Sequence, residues 1–312
     1  MSRLFQRVAI IGCGLIGSSL ARVIRRGQLA GHVAVADGSA DVRAVVERLK
    51  LADSVHEDSA AAVAGADLVM LCVPPGAMAA AAGAMASGLA PGAIVSDVGS
   101  TKASVIADVA PLLPAGVALV PGHPVAGTEN SGPESGFAAL FQDRWCILTP
   151  GDDVPAAAVE SVAALWRAAG MNVETMDAAY HDRILAMTSH LPHLIAYSMV
   201  AAASDLEDHM RSEAIKFSAG GFRDFTRIAA SDPIMWRDVF LKNSDAVLEM
   251  ISRFSEELVS LRRAIRHGDG EMLHAFFSRA RELRRGVIAA GQAGRFIPTE
   301  TEPSADAAKS ED

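Results

Sequence analysis

Positive charge, aromatic side chains and paired cysteines are all scarce in this chain. Lysine and arginine number 28 against 37 aspartates and glutamates, a formal net charge of −9. Nucleic-acid binding needs a basic face to neutralise phosphates, so this balance argues against it. Cysteines number three, Cys13, Cys72 and Cys146, with no C-x-x-C spacing and each in or beside an apolar strand-like run. They read as reduced core thiols of a cytoplasmic protein. Neither H-E-x-x-H nor G-x-S-x-G occurs, which removes the zincin helix and the serine-hydrolase elbow; no metal site is expected. Aromatic residues are only 5% of the 312, and alanine supplies much of the 50% that is hydrophobic. That bias favours helices and close helix–sheet packing.

Membrane spans are missing as well. Two uncharged runs, Leu68–Ser96 of 29 residues and Ile184–Ser204 of 21, are long enough to cross a bilayer. The first is cut by Pro74-Pro75-Gly76, Gly83, Gly88 and Pro91-Gly92, and the second carries His190, Pro192 and His193. Breakers and polar groups of that kind are costly in lipid, so both runs are expected to be buried in a soluble protein. Residues 297–312 hold one lysine against five acids, net −4, without apolar periodicity. Residues 293–312 accordingly read as a disordered acidic tail.

What is present is alternation. Strand-like runs at Arg7–Gly12, His32–Ala36, Ala66–Val73, Ala93–Asp97, Val117–Val120, Trp145–Thr149 and Asn172–Thr175 are separated by alanine-rich helical stretches. This is the pattern of βαβ units around a mainly parallel sheet. After Asp177 the chain reads as all-helical, apart from a glycine-interrupted loop at Gly220–Arg227. One long helix follows, with Asp232 as cap, Pro233 in its first turn and Gly268 past its end. Its stripe Val247, Ile251, Phe254, Leu258, Leu261, Ile265 suits either internal packing or a subunit interface. The fold class is α/β. An N-terminal Rossmann-type domain (1–176) precedes an all-helical domain (177–292).

The chemistry starts at Gly12-Cys13-Gly14-Leu15-Ile16-Gly17, which follows an apolar strand and opens a helix. The glycines serve a tight turn, close approach of backbone to pyrophosphate, and helix–strand contact. Asp37 ends the second strand, twenty residues past the last glycine, where a carboxylate binds ribose hydroxyls and repels a 2′-phosphate. NAD is favoured over NADP. Ser100, in Asp97-Val-Gly-Ser-Thr-Lys, either caps the next helix or meets a ligand. His123, held between Gly122 and Pro124 after another strand, is a candidate proton acceptor. His190 and His193 are either hydrogen-bonded core groups or site residues. Arg223, Arg227 and Arg237 interleave with Phe222, Phe225 and Ile228, and a guanidinium fork suits a carboxylate. The residues therefore point to an NAD-dependent dehydrogenase of a small anionic molecule.

These segments, with Gly122-His-Pro-Val-Ala-Gly-Thr-Glu, Ser189-His-Leu-Pro-His, Gly220-Gly-Phe-Arg-Asp-Phe-Thr-Arg and Ser231-Asp-Pro-Ile-Met-Trp, resemble the prephenate/arogenate dehydrogenases of tyrosine biosynthesis. The likeness runs in order from about residue 5 to 290. It implies oxidative decarboxylation of a cyclohexadienol, with His123 drawing the proton from the C4 hydroxyl and Ser100 beside that hydroxyl and the nicotinamide. It also implies that His193 and Arg227 approach substrate carboxylates, and that Glu129, Trp236, Thr128 and Arg223 line the substrate site. Val73 and Pro74 join Gly12, Gly14, Leu15, Ile16, Gly17 and Asp37 at the cofactor. The helical domain is expected to form a homodimer. Ser18 departs from the family's frequent glycine. Two alternatives stay open: another Rossmann dehydrogenase of a small hydroxy acid (3-hydroxyacid dehydrogenase-like), and a non-catalytic NAD-binding regulator.

Overall fold

The computed structural model describes residues 3–205 and 220–289; the acidic tail expected at 293–312 lies outside them. Two compact units meet in the chain at Ile251 and Ser252. The first unit holds a six-stranded parallel sheet: β1 (Phe5–Ile11), β2 (Ala30–Ala36), β3 (Ser54–His56), β4 (Leu68–Leu71), β5 (Ile94–Asp97) and β6 (Ala118–Val120). The strand order is β3-β2-β1-β4-β5-β6, the doubly wound order in which ligands bind between β1 and β4. Side chains alternate across the sheet as a period of two requires. Val8, Ile10, Val33, Val35, Leu68 and Met70 face one core with Leu20, Ile24 and Trp166. Ala9, Ile11, Ala34, Ala36, Val69 and Leu71 face the other with Met78, Met85 and Val105.

Six helices cover these faces: α1 (Leu15–Gly27), α2 (Ala40–Arg48), α3 (Ser59–Val63), α4 (Met78–Met85), α5 (Ala103–Val109) and α6 (Ala156–Ala168). A separate three-stranded sheet, β7 (Gly122–Pro124), β8 (Trp145–Leu148) and β9 (Asn172–Thr175), pairs β7 antiparallel and β9 parallel to β8. The sequence reading missed three elements. β3 and α3 are too short for a periodic signal, and β7 forms only because His123 pairs with Ile147 across the new sheet.

The helical part begins with α7 (Ala178–Leu185), a π-helical turn (Ala186–His190) and α8 (Leu191–Ser204). Pro192 has no N–H to complete a regular ladder at this junction. Burial of the second uncharged run is only partial: Met187, Met199 and Val200 face outward. The continuous helix Ala178–Ser204 is long and apolar enough to cross a membrane by length and composition alone, with 28% of its most apolar window buried. The expected loop at 220–227 is instead helix α9 (Gly220–Thr226), which packs against α8, followed by a 3₁₀ turn at Arg227–Ala230. Packing outweighs the two glycines there. The single helix expected from Pro233 to Gly268 is broken into α10 (Pro233–Lys242) and α11 (Ser244–His267). The break is at Asn243, whose amide donates to the Asp182 carbonyl and His190 Nδ1 instead of continuing on a helix surface. Asp232 does cap α10, accepting from the N–H groups of Ile234 and Met235. In the second unit α11 continues to His267, and α12 (Gly270–Ala289) follows Gly268.

Candidate active site

A cleft of about 360 Å³ opens at the carboxyl ends of β1, β2 and β4, lined in part by Gly12, Cys13, Gly14, Asp37, Val73 and Pro74. Gly12 has φ +88°, and a Cβ there would lie 2.7 Å from the Cys72 carbonyl oxygen and from Val73 Cγ1. A Cβ on Gly17 would run into the Gly12 carbonyl oxygen. A Cβ on Gly14 would meet nothing within 4 Å and would stand in the cleft itself. Turn, helix–strand contact and open approach thus fall to separate glycines. Helix α1 starts at Leu15 and Ile16 with no side-chain cap and no acid in its first turn, leaving its N–H groups for an anion. Ser18 does not disturb this arrangement, because its hydroxyl donates back to the Leu15 carbonyl.

The Asp37 carboxylate is fixed at the end of the cleft by the N–H groups of Cys13 and Ser39, both at 2.9 Å. Arg43, the nearest cation in sequence, donates to the carbonyls of Asp37 and Gly38 and pairs with Glu57 at 2.8 Å. It is committed elsewhere, so nothing offsets the repulsion Asp37 would exert on a 2′-phosphate. The cleft fits a dinucleotide with free ribose hydroxyls. Burial raises the Cys13 thiol to about 12, which keeps it neutral within the glycine turn.

A buried polar cluster lies along the same edge of the sheet. Asp97, at the end of β5, is fully buried and pairs with the equally buried Lys102. Asp97 also accepts from the N–H groups of Gly99 at 2.7 Å and Gly122 at 3.0 Å, while Lys102 Nζ donates to the Gly122 carbonyl at 2.6 Å. The backbone beside His123 is therefore held from both sides. His123 Nδ1 lies 2.8 Å from His181 Nε2, and His181 Nδ1 lies 2.8 Å from Asp182 Oδ1. Among the described residues no hydrogen bond engages His123 Nε2, and this atom is not sealed from solvent. Burial, then the neighbouring His181 and Lys102, push the His123 pKa well below the ordinary histidine value. Burial pushes Asp182 upward, but hydrogen bonds from His181 and the N–H groups of Lys102 and Ala103 outweigh it, and the carboxyl stays acidic.

Those last two hydrogen bonds also exclude one of the two parts open to Ser100, the helix cap. Helix α5 is capped by Asp182 reaching across from α7, not by Ser100. Among the described residues the Ser100 hydroxyl makes no protein hydrogen bond and remains available.

His193 and Trp236 stack face to face, with ring centroids 3.6 Å apart, and His190 meets Trp236 edge-on at 6.1 Å. The His193 Nδ1–H donates to the Ser189 carbonyl at 2.9 Å, and burial lowers its pKa. Neutral His193 therefore presents Nε2 as an acceptor; a carboxylate is bound there only by the protonated ring. His190 Nδ1 accepts from Asn243, which leaves its proton on Nε2, and burial holds its pKa near 4. Trp236 Nε1 is buried without a partner among the described residues, while His190 Nε2 faces the Ser100 backbone.

Arg227 forms an ion pair with Glu129 at 2.7 Å, joining the loop after β7 to the segment after α9. Both expected substrate-site residues are thus brought together, with each other as partners. Thr128 is on the surface, its hydroxyl accepting from the Asn130 N–H. Arg223 is 73% exposed beside Asp224 and is not drawn into the buried cluster. Sequence reasoning missed His181, Asp182 and Asn243, and gave Asp97 and Lys102 no role. Asp97 and Lys102 stood in view as charges at the end of an apolar strand, whereas His181 lies 58 residues from His123 and carried no local signal.

Residues 20–175 match the family description "prephenate dehydrogenase, nucleotide-binding domain", and residues 177–279 match "prephenate dehydrogenase, dimerization domain". The cyclohexadienyl dehydrogenase of Zymomonas mobilis is 45% identical over 280 residues, covering 90% of this chain and 95% of that protein. The prephenate dehydrogenase of Bacillus subtilis is 31% identical, covering 92% of this chain and 77% of the relative. The crystal structure of A. aeolicus prephenate dehydrogenase with hydroxyphenyl propionate and NAD+ superposes with a TM-score of 0.84 at 31% identity, covering 92% of this chain and 99% of that one. With its doubly wound sheet, its dinucleotide cleft and its helical second part, this chain belongs to the prephenate dehydrogenase family.

Proposed function

We propose that the protein oxidises and decarboxylates prephenate, L-arogenate or both, with NAD as cofactor, and so serves tyrosine biosynthesis. The observation that carries this reading is a buried, rigidly anchored His123 with one ring nitrogen unengaged, pinned through Gly122 to Asp97 and Lys102 at the end of β5, in the sheet whose carboxyl edge carries the dinucleotide cleft. Gly12, Gly14, Gly17 and the start of α1 would hold the pyrophosphate, Asp37 the adenosine ribose, and Val73 and Pro74 the wall of the cleft. Bound there, NAD supplies the acceptor for the hydride that leaves C4.

His123 Nε2 takes the C4 hydroxyl proton as that hydride departs, with the Ser100 hydroxyl steadying the oxygen. The ring–carboxylate bond then breaks, its electron pair enters the ring, and CO₂ leaves. The proton held on His123 returns to the oxygen as the phenol forms, so the histidine ends the cycle neutral. Because ring aromatisation drives the second step, the protein's task is orientation and deprotonation. Arg227, set by Glu129, meets a substrate carboxylate; His193, set by Trp236 and Ser189, donates from Nε2 to a carboxylate only in its protonated form and otherwise accepts from a substrate donor. The unpartnered N–H of Trp236 supports a polar ligand nearby, since buried donors rarely stay unsatisfied.

The helical part forms a homodimer in this reading. Tyr180, Met187, Ile234 and Leu241 are large apolar side chains left exposed, and a second copy would remove them from water. The three cysteines are free, which accords with a reducing cytoplasm. The decisive experiment is NADH formation by the purified protein with prephenate and, separately, with L-arogenate. Turnover of at least one is expected; no turnover of either by protein that binds NAD overturns the reading. His123→Asn should lower kcat about 10²–10⁴-fold with NAD affinity kept.

A further inference from the structure

The buried string from His123 to Asp182 has a chemical direction. Asp182 is a carboxylate, held ionised by two backbone N–H groups, and a carboxylate only accepts hydrogen bonds. His181 must therefore place its proton on Nδ1 to meet Asp182 Oδ1 at 2.8 Å. Neutral His181 then has a bare Nε2, which accepts, and the nitrogen 2.8 Å from it, His123 Nδ1, must carry the proton. The remaining nitrogen of a neutral His123 is Nε2, unprotonated and unengaged.

We propose that His181 and Asp182 are positioning residues that lock His123 in the Nδ1–H tautomer, so that Nε2 is always the basic nitrogen. When Nε2 gains the substrate proton, the imidazolium donates from Nδ1 to His181, and the Asp182 carboxylate faces the charge at the far end of the string. Asp182 opposes the desolvation of His181, whereas His181, Lys102 and His190 all disfavour charge on His123, so an added charge is drawn along the string towards Asp182. Asp182 has a second duty, since its two oxygens cap α5 at Lys102 and Ala103. One carboxylate thereby fixes both the helix start behind Ser100 and the tautomer of His123. The proposal deepens the reading of His123 as proton acceptor and rests on it.

The test joins a spectroscopic readout with kinetics on the full-length protein. In ¹⁵N-histidine-labelled resting enzyme, His123 should show a protonated Nδ1 and a bare Nε2; a resting Nε2–H tautomer overturns the proposal. His181→Leu removes the acceptor and should lower kcat about 10–100-fold, the range for lost outer partners of a working histidine, with KM and NAD affinity unmoved. His181→Gln can offer its amide oxygen to His123 Nδ1–H and should recover kcat to within about threefold of wild type. Equal losses in the two variants, or unchanged kcat in His181→Leu, would also overturn it. The pH profile separates a merely structural role. The titratable groups facing the pair are Asp97 and Lys102 from the β5–α5 connection, Cys146 from β8, and Asp182 and His190 from the helical segment. With these unchanged, His181→Leu should shift the acid limb of kcat/KM, while His181→Gln should not. Failure of the base assignment itself reads differently: His123→Asn would then retain turnover whatever tautomer the wild type shows.

Discussion

Replacing Lys102 by methionine keeps the unbranched apolar stem, one atom shorter, and removes the ammonium with its charge and donors. The Asp97 carboxylate, fully buried, would keep the N–H groups of Gly99 and Gly122 but lose its cation. Breaking a buried pair from one side typically costs about 3–5 kcal/mol, because the surviving charge has no water to turn to. The Gly122 carbonyl loses its donor as well, so the lower end of that range is a floor. Against a total stability of about 5–15 kcal/mol, Lys102→Met should shift the urea midpoint and Tm strongly downward. Adding Asp97→Asn removes the stranded charge, and the double variant should regain at least about 1 kcal/mol over the single one. Circular dichroism during urea titration of the four proteins in this cycle reads both quantities. A single variant within about 1 kcal/mol of wild type, or a double variant no better than the single, would refute the argument that burial makes this pair costly to break.

The glycine turn gives a paired prediction. Gly14→Ala should fold normally and weaken NAD at least about tenfold, since its methyl enters only the open cleft, whereas Gly17→Ala should cost about 1–3 kcal/mol of stability by colliding with the Gly12 carbonyl; calorimetric NAD binding and thermal unfolding separate the two. Arg227→Ala should chiefly raise KM for prephenate or arogenate, and Glu129→Ala should change it less; steady-state kinetics with unchanged KM in Arg227→Ala would set that assignment aside. Acid should destabilise the fold through its buried histidines. His190 is held near 4 against an ordinary 6.5, so the unfolded chain binds that proton first and stability falls as pH drops from about 6.5 towards 4. Between pH 7.5 and pH 5 this one residue should remove about 2 kcal/mol, a loss that His190→Gln should flatten in denaturation curves at the two pH values.

Much of the cofactor half was legible in the chain itself. Gly12, Gly14, Gly17 and Asp37 act through backbone conformation and short spacing, and both are written locally. The alternation of apolar runs with alanine-rich stretches likewise carried the doubly wound sheet, because strand and helix periods are properties of neighbouring residues. Local signal failed where packing decides. Contact with α8 makes a helix of the segment 220–226, whose glycines suggest a loop, and Asn243 breaks a periodic helix to reach Asp182 and His190. Sequence alone determined that a histidine stands after a strand beside a dinucleotide turn. Only tertiary structure decided which of its nitrogens is free, because His181 and Asp182 arrive from a helix that nothing near His123 encodes. The same holds for the cap on α5. Ser100 stood ready for that task in the sequence, but a carboxylate 80 residues away reaches its first N–H groups, and the serine hydroxyl has no hydrogen-bond partner among the described residues.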